Sequence, residues 1–325
     1  MNPQVNPSSK FDAASQWFHS LPQQQGLAII SPDQGYFHQE DQYDEQYTNL
    51  ALDLSRADPL IRFFDQYHIN SPISVVLDLA CGPGTLTLGL ASCYPNAFVI
   101  GADASSSFLK ISLEKVSQIQ PNISSNLHWL RLNDQDLCQL PKDLFDLVTI
   151  RSGLHHFVDW RMCMKDLSRL LSKNGILAIF EPKADFFIYT ELLLSALSSY
   201  HCESLPQEAI DFIDLFSRTA SFYIQQEVDK SQAEDKHAFF VEDLVNCAHQ
   251  CNLRLICAGH EYSPPFSKSC RDYLQYCMSA PQSILLAYDA YLGKHLDILD
   301  RYLASRQSHT GPAEWFLLTP DSTVK

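Results

Sequence analysis

The stretch Val76-Leu77-Asp78-Leu79-Ala80-Cys81-Gly82-Pro83-Gly84 decides the fold. Its first half is a short apolar run of the kind that forms a buried strand, and its second half closes on two glycines around a proline. Glycines at a strand–helix junction let the backbone approach a ligand closely, because no Cβ stands in the way. The stretch Leu86 to Tyr94 follows as a helix and offers its N-terminus to polar groups. Ala97 to Asp103 is a second strand, and its terminal acid lies 19 residues beyond Gly84. Doubly wound folds place there the carboxylate that grips a ribose diol. A nucleoside-containing ligand is the first inference.

Outward from this unit the same alternation continues. Ser105 to Ile119 is a helix, Leu127 to Leu132 a third strand and Leu144 to Ile150 a fourth. Asp159 to Leu171 is a helix stopped by Asn174-Gly175, and Ile176 to Phe180 is a fifth strand. Strands alternating with helices predict βαβ units, hence a parallel sheet covered on both faces. The unbroken apolar run at Ile176–Phe180 agrees with a strand buried on both sides. After Glu181-Pro182 the alternation stops: residues 185–235 are helical in pattern, as are Val241 to Gln250 and Lys268 to Ala304. Leu253 to Gly259 and Glu314 to Thr319 are two late strands. Upstream, Phe11 to Ser20 and Tyr47 to Tyr67 have helical spacing, the latter broken near Asp58-Pro59. The expected organisation is a helical cap over 1–69, a core over 70–182, and helical insertions with the last two strands over 183–325.

Charge and composition narrow the function. The chain has 325 residues, 46% hydrophobic and 19% charged, which fits a soluble globular protein. Against 23 Lys+Arg stand 38 Asp+Glu, a formal charge of −15. An acidic chain repels a phosphate backbone and an anionic lipid surface, so neither nucleic acid nor membrane is the expected partner. No run approaches the roughly 18 apolar residues of a membrane span. The N-terminus lacks the basic-then-apolar pattern of an export signal. The ten cysteines form no Cys-x-x-Cys pair, so no metal site is expected. Free thiols without an export signal point to the cytoplasm.

Two kinds of nucleoside cofactor compete for the loop. A dinucleotide fingerprint is Gly-x-Gly-x-x-Gly, and here the third position is Thr87. Asp78, just before the loop, is a poor neighbour for a pyrophosphate and a good one for an ammonium or sulfonium. Charge therefore favours S-adenosylmethionine over NAD.

At this point the sequence resembles the class I S-adenosylmethionine-dependent methyltransferases of the small-molecule type. The first quoted stretch is similar to that family's first motif, and Gly101-Ala102-Asp103-Ala104 to its ribose-binding motif. Asp136 to Pro141, followed by Phe145-Asp146-Leu147-Val148, resembles the adenine-contacting segment and fourth strand. Leu154-His155-His156-Phe157 is similar to a Leu-His-His segment of small-molecule members. Asn174-Gly175 with Phe180-Glu181-Pro182 looks like the fifth-strand motif. The resemblance implies a doubly wound, Rossmann-like sheet of seven strands, mostly parallel with the last antiparallel, and helices on both faces.

The resemblance also implies roles. Asp78 would hold the methionyl amine through water, and Ala80, Gly82 and Gly84 would line the methionine moiety with backbone. Asp103 would bind the ribose hydroxyls, with Ala104 beside the adenine. Asp136 would accept from the adenine amino group and the Leu137 amide would face a ring nitrogen. Asp134, two residues earlier, competes for the acid's place, and the spacing to Leu140-Pro141 favours Asp136. Arg151 would lie near the methionine end. His155 or His156 is the expected general base, since imidazole titrates near pH ~6.5. One of the pair is otherwise structural. Tyr36, Tyr43 and Tyr47 are candidates for the acceptor's side of the site.

The aromatic residues between 185 and 224 are either core or an apolar pocket, and helical spacing favours core. The expected activity is methyl transfer to a small molecule, with oxygen favoured as acceptor. The long insertions leave room for a homodimer interface. The rival readings are a non-catalytic docking module and another cofactor-dependent reaction on the same scaffold.

Overall fold

The computed structural model describes residues 7–34, 53–118, 125–225, 228–233, 235–259, 265–305 and 311–321. Tyr36, Tyr43 and Tyr47 lie outside the described residues. One sheet organises the chain. Its strands are β1 (Gln23–Gln24), β2 (Leu27–Ile29), β3 (Val75–Leu79), β4 (Phe98–Asp103), β5 (Leu127–Arg131), β6 (Phe145–Arg151), β7 (Leu171–Pro182), β8 (Leu253–Gly259) and β9 (Ala313–Pro320). Their order is β1-β2-β5-β4-β3-β6-β7-β9-β8. The order reverses between β3 and β6, which is where a doubly wound sheet opens a crevice at its carboxyl ends. The ladders β5-β4-β3-β6-β7 are all parallel. Every residue of β3 and β4 is buried, as strands covered on both faces require.

Seven strands were expected and nine form. The two extra ones are a short hairpin from the N-terminal segment, paired Gln24 to Leu27 and Gln23 to Ala28. Its two-residue turn, Gln25-Gly26, has φ of +53° and +84°, the backbone a tight hairpin needs at both central positions. β2 then joins β5 in parallel, Ala28 opposite Leu130. A glutamine run with one glycine carries no alternation of apolar residues, so the sequence pattern did not mark it as strand.

Helix α1 (Pro7–Ser20) packs on the β4-β5 surface through Phe11 and Phe18, whose rings lie 5.4 and 5.8 Å from Phe98. Lys10 extends from it to the buried carboxylate of Asp146. Asp146 also accepts from Ser172 Oγ at 2.8 Å and from the Ser74 and Val75 amides at 3.0 and 3.3 Å. The acid of the fourth-strand motif is thus a structural tie at the start of the strand. The helix α5 (Trp160–Leu170) ends where expected, but β7 begins directly after it at Leu171, five residues before the expected Ile176. At Gly175 an added Cβ would lie 2.7 Å from the Phe145 carbonyl, so that glycine serves a close approach of strands. Between them come α2 (Asp58–Gln66), α3 (Thr85–Cys93) and α4 (Ser106–Val116).

His128 stacks on Phe98 with ring centroids 3.8 Å apart. Burial, and secondarily His19, lowers its pKa to about 4. Its neutral form belongs to the fold, so the unfolded chain takes up the proton first. Stability is therefore complete above pH ~6.5, falls as the pH drops below that value, and levels off below about 4. Between neutral pH and pH ~5 this one group costs about 2 kcal/mol. We expect His128→Phe, which keeps the stacking, to remove that part of the acid sensitivity in urea titrations run at the two pH values. An unchanged slope would show that His128 is not the group responsible.

The chain divides into two compact units. The first comprises Met1–Phe180, Val245–Ala258 and Phe316–Lys325; the second comprises Glu181–Leu244 and Gly259–Trp315. The second is built from α6 (Ala184–His201), α7 (Gln207–Ile224), α9 (Phe266–Asp272), α10 (Gln282–Ala287) and α11 (Gly293–Ser305); α8 (Val241–Gln250) spans the boundary. Phe186, Phe187, Phe212 and Phe216 are buried in its core, so they are packing residues. Phe222 and Tyr223 are half-buried and line an open cavity of about 540 Å³ with Arg218, Thr219, Ala233 and Asp235. A buried Lys183–Glu314 pair, 3.2 Å apart, ties this unit's two ends. The continuous helix expected from Lys268 is broken at Ser279 (φ +49°) and Pro281. No described helix is long and apolar enough to cross a membrane.

Candidate functional site

The loop after β3 is shaped by three left-handed residues, Ala80 (φ +53°), Gly82 (+52°) and Gly84 (+76°). A turn closes it, the Gly84 amide donating to the Cys81 carbonyl at 3.0 Å. The two glycines differ in purpose. Around Gly82 an added Cβ would meet nothing within 4 Å, so this residue borders open space. At Gly84 the added Cβ would lie 2.6 Å from the Trp129 ring. Gly101 is closed by the same ring at 2.4 Å. Trp129 of β5 therefore fills the room left by two missing side chains and forms the floor of the loop. A glycine in the ribose motif is thus explained by packing.

Asp103 ends β4 and is 9% exposed. Its Oδ2 accepts the Gly82 amide at 2.8 Å and its Oδ1 the Ser105 amide at 2.9 Å. Backbone donors fix both oxygens at the end of the strand. Ala104 is half-buried beside it. Asp78 sits differently. It is 1% exposed, with Oδ2 accepting from Thr87 at 2.6 Å and Oδ1 from Thr149 at 2.7 Å. Burial raises its pKa to about 6; the two hydroxyls and Arg151 work against that rise, and Asp103 adds to it. Both oxygens are turned to hydroxyls. Arg151, at the end of β6, lies over the Phe180 ring at 5.5 Å.

The competing acids after β5 are separated by their partners. They lie on one short 3-10 turn, Asp134–Gln139. Asp136 accepts from Ser31 Oγ and from Gln139 Nε2, each at 2.7 Å. Ser31 is buried and also accepts the Asn133 amide at 2.8 Å, so Asp136 is tied to the segment that follows the N-terminal hairpin. Asp134 is half-buried and accepts the Gln135 amide through Oδ1 at 2.9 Å. Leu137 is fully buried and its carbonyl takes Arg169 at 2.8 Å. Ser31 carried no sequence signal, because its partners are 102 and 105 residues away.

His155 and His156 belong to the short turn Leu154–His156 after β6. Their rings are 4.1 Å apart; His155 is 9% exposed and His156 half-buried. Ser152 (φ +53°) and Gly153 turn the chain here. At Gly153 an added Cβ would stand 2.6 Å from the Ala80 Cβ. That contact presses the histidine turn against the glycine loop. It joins the two motifs and was not marked by spacing.

The donor set fits S-adenosylmethionine. Open space borders Gly82, a carboxylate held by two backbone amides ends β4, and buried negative charge lies below a loop that would face a sulfonium. The family described as methyltransferase domain matches residues 76–175. The chain is 29% identical over 177 residues to a demethylmenaquinone methyltransferase of Lactococcus lactis, covering 51% of this chain and 67% of that protein. It is 32% identical over 133 residues to a ubiquinone/menaquinone biosynthesis C-methyltransferase of Cronobacter sakazakii, covering 41% and 51%. These matches span about half to two thirds of the length of the curated relatives. A solved structure, PKMT2 of Rickettsia typhi in complex with AdoHcy, aligns at TM-score 0.49 and 14% identity over 84% of this chain and 54% of that one. The motifs, the strand order and the family match agree: the chain carries a class I S-adenosylmethionine-dependent methyltransferase domain.

Proposed function

We propose that this protein transfers the methyl group of S-adenosylmethionine to a small-molecule acceptor, with a hydroxyl oxygen as the acceptor atom. The observation that carries the reading is the Gly153–Ala80 approach, which sets the turn that carries two histidines against the loop that would hold the methyl donor. When bound, the cofactor supplies a methyl group on a sulfonium, already a good leaving group. The chain's work is then to hold, align and exclude water. Asp103 takes the ribose hydroxyls and the Ala80–Gly84 backbone lines the methionine end. We assign the adenine amino group to Asp134, because Asp136 is held by Ser31 and Gln139. Ionised Asp78, with Arg151 above it, sets the charge around the methionine end. His155 or His156 accepts the acceptor's proton as it attacks.

One histidine should separate from the other. We expect Ala in place of the base to lower turnover about 100-fold or more while S-adenosylhomocysteine affinity changes less than about twofold. Ala in place of its neighbour should lower stability instead. If each variant lost turnover and affinity together, neither would be the base. The relatives named as C-methyltransferases support a second reading, in which the acceptor is a ring carbon. A base that strips a phenolic proton also makes the ring carbon beside it nucleophilic, so the same histidine serves both. Locating a labelled methyl group by NMR, on oxygen or on carbon, decides between them.

A further inference from the structure

Helix α4 sets Ser112 and Lys115, one turn apart, against the back of the glycine loop, the Ser112 hydroxyl also lying 3.1 Å from the Phe108 carbonyl of its own helix. Ser112 Oγ lies 3.4 Å from the Gly82 carbonyl, and Lys115 Nζ donates to the Pro83 carbonyl at 3.1 Å. Lys115 is 8% exposed, and its ammonium is 3.3 Å from Oδ2 of Asp53, which is fully buried. Asp53 opens the segment leading into α2. That segment lies hard against α3: at Gly89 an added Cβ would stand 2.7 Å from the Ala57 amide and 3.0 Å from the Asp53 carbonyl. One stretch of chain thus touches both helices that flank the loop.

A lysine and an aspartate in so dry a place are costly to desolvate, and an apolar pair of like volume is often as stable or more so. What an apolar pair would not supply is a charged donor aimed at a loop carbonyl. We propose that Asp53 and Lys115 are positioning residues for the cofactor loop. Lys115 holds the Pro83 carbonyl toward α4, so that the opposite face of the loop is presented to the ligand. Asp53 keeps the ammonium aimed. The pair thereby preorganises the loop and reduces the ordering that binding would otherwise require. The inference rests on the cofactor reading of this loop.

Lys115→Met alone strands a buried carboxylate and is a poor test of positioning. The double variant Asp53→Asn/Lys115→Met removes both charges. Calorimetric titration with S-adenosylhomocysteine should show it binding about tenfold or more weakly than wild type at similar thermal stability. Amide exchange at Gly82 and Gly84 in the ligand-free protein should be faster, with β3 unchanged. Lys115→Arg, which keeps a charged donor, should stay within about threefold of wild-type affinity. Wild-type affinity and unchanged loop exchange in the double variant would overturn the proposal. Failure of the wild-type protein to bind either S-adenosylmethionine or S-adenosylhomocysteine would defeat the cofactor reading instead. The exchange comparison would then still decide whether the pair holds the loop.

Discussion

Asp103→Ala should weaken S-adenosylhomocysteine binding by about 100-fold or more. Two effects act together. The ribose diol loses a charged acceptor, and hydrogen bonds to charged groups are about twice as strong as neutral ones. The Gly82 and Ser105 amides lose their acceptor as well, so the loop and the start of α4 lose the anchor they share. Asp103→Asn keeps one acceptor oxygen and should lose about tenfold. A further consequence is electrostatic. Asp103 is one of the groups that raise the Asp78 pKa, so its removal should lower that value from about 6. Calorimetry gives the affinities, and carboxyl NMR titration gives the second effect. Unchanged affinity in Asp103→Ala would remove the ribose role.

The second large effect is on folding. Gly101→Ala puts a methyl group where the Trp129 ring already stands, 2.4 Å away, with Thr87 at 3.0 Å on the other side. An indole ring buried in a sheet core cannot yield as a flexible chain end would. We expect a loss of about 3 kcal/mol or more in urea unfolding, the upper range for an overpacked core. The same ring is the floor of Gly84, so the surviving folded protein should also bind cofactor more weakly. Trp129→Leu in the same chain should recover much of the stability, because it makes the room that alanine needs. A Gly101→Ala variant as stable as wild type would show that Trp129 does not occupy this place.

The parts of the fold that were legible are those in which one segment dictates its own structure. β3, its loop and α3 follow from an apolar run, glycines and a helical period, and they form within a residue or two of the reading. The same is true of β8 and β9. What escaped depends on contacts between distant segments. The hairpin β1-β2 is strand because β5 offers it an edge, and Ser31 matters because Asn133 and Asp136 meet it. The role of Gly153 exists only against Ala80, and that of Lys115 only against Pro83 and Asp53. The proposed move from Asp136 to Asp134 turns on a contact of the same kind. Spacing along the chain does not show that Ser31 already holds one of the two acids.

The central claim is methyl transfer to a small molecule, and one assay tests it most directly. The purified protein is given S-adenosylmethionine with a deuterated methyl group, together with a cell extract split by ultrafiltration into small molecules and macromolecules. The account predicts S-adenosylhomocysteine release and a single labelled methyl group on a compound in the small-molecule fraction, both abolished by Asp103→Ala. Label in the macromolecular fraction alone, or no transfer in either fraction by a protein that binds the cofactor, would contradict it.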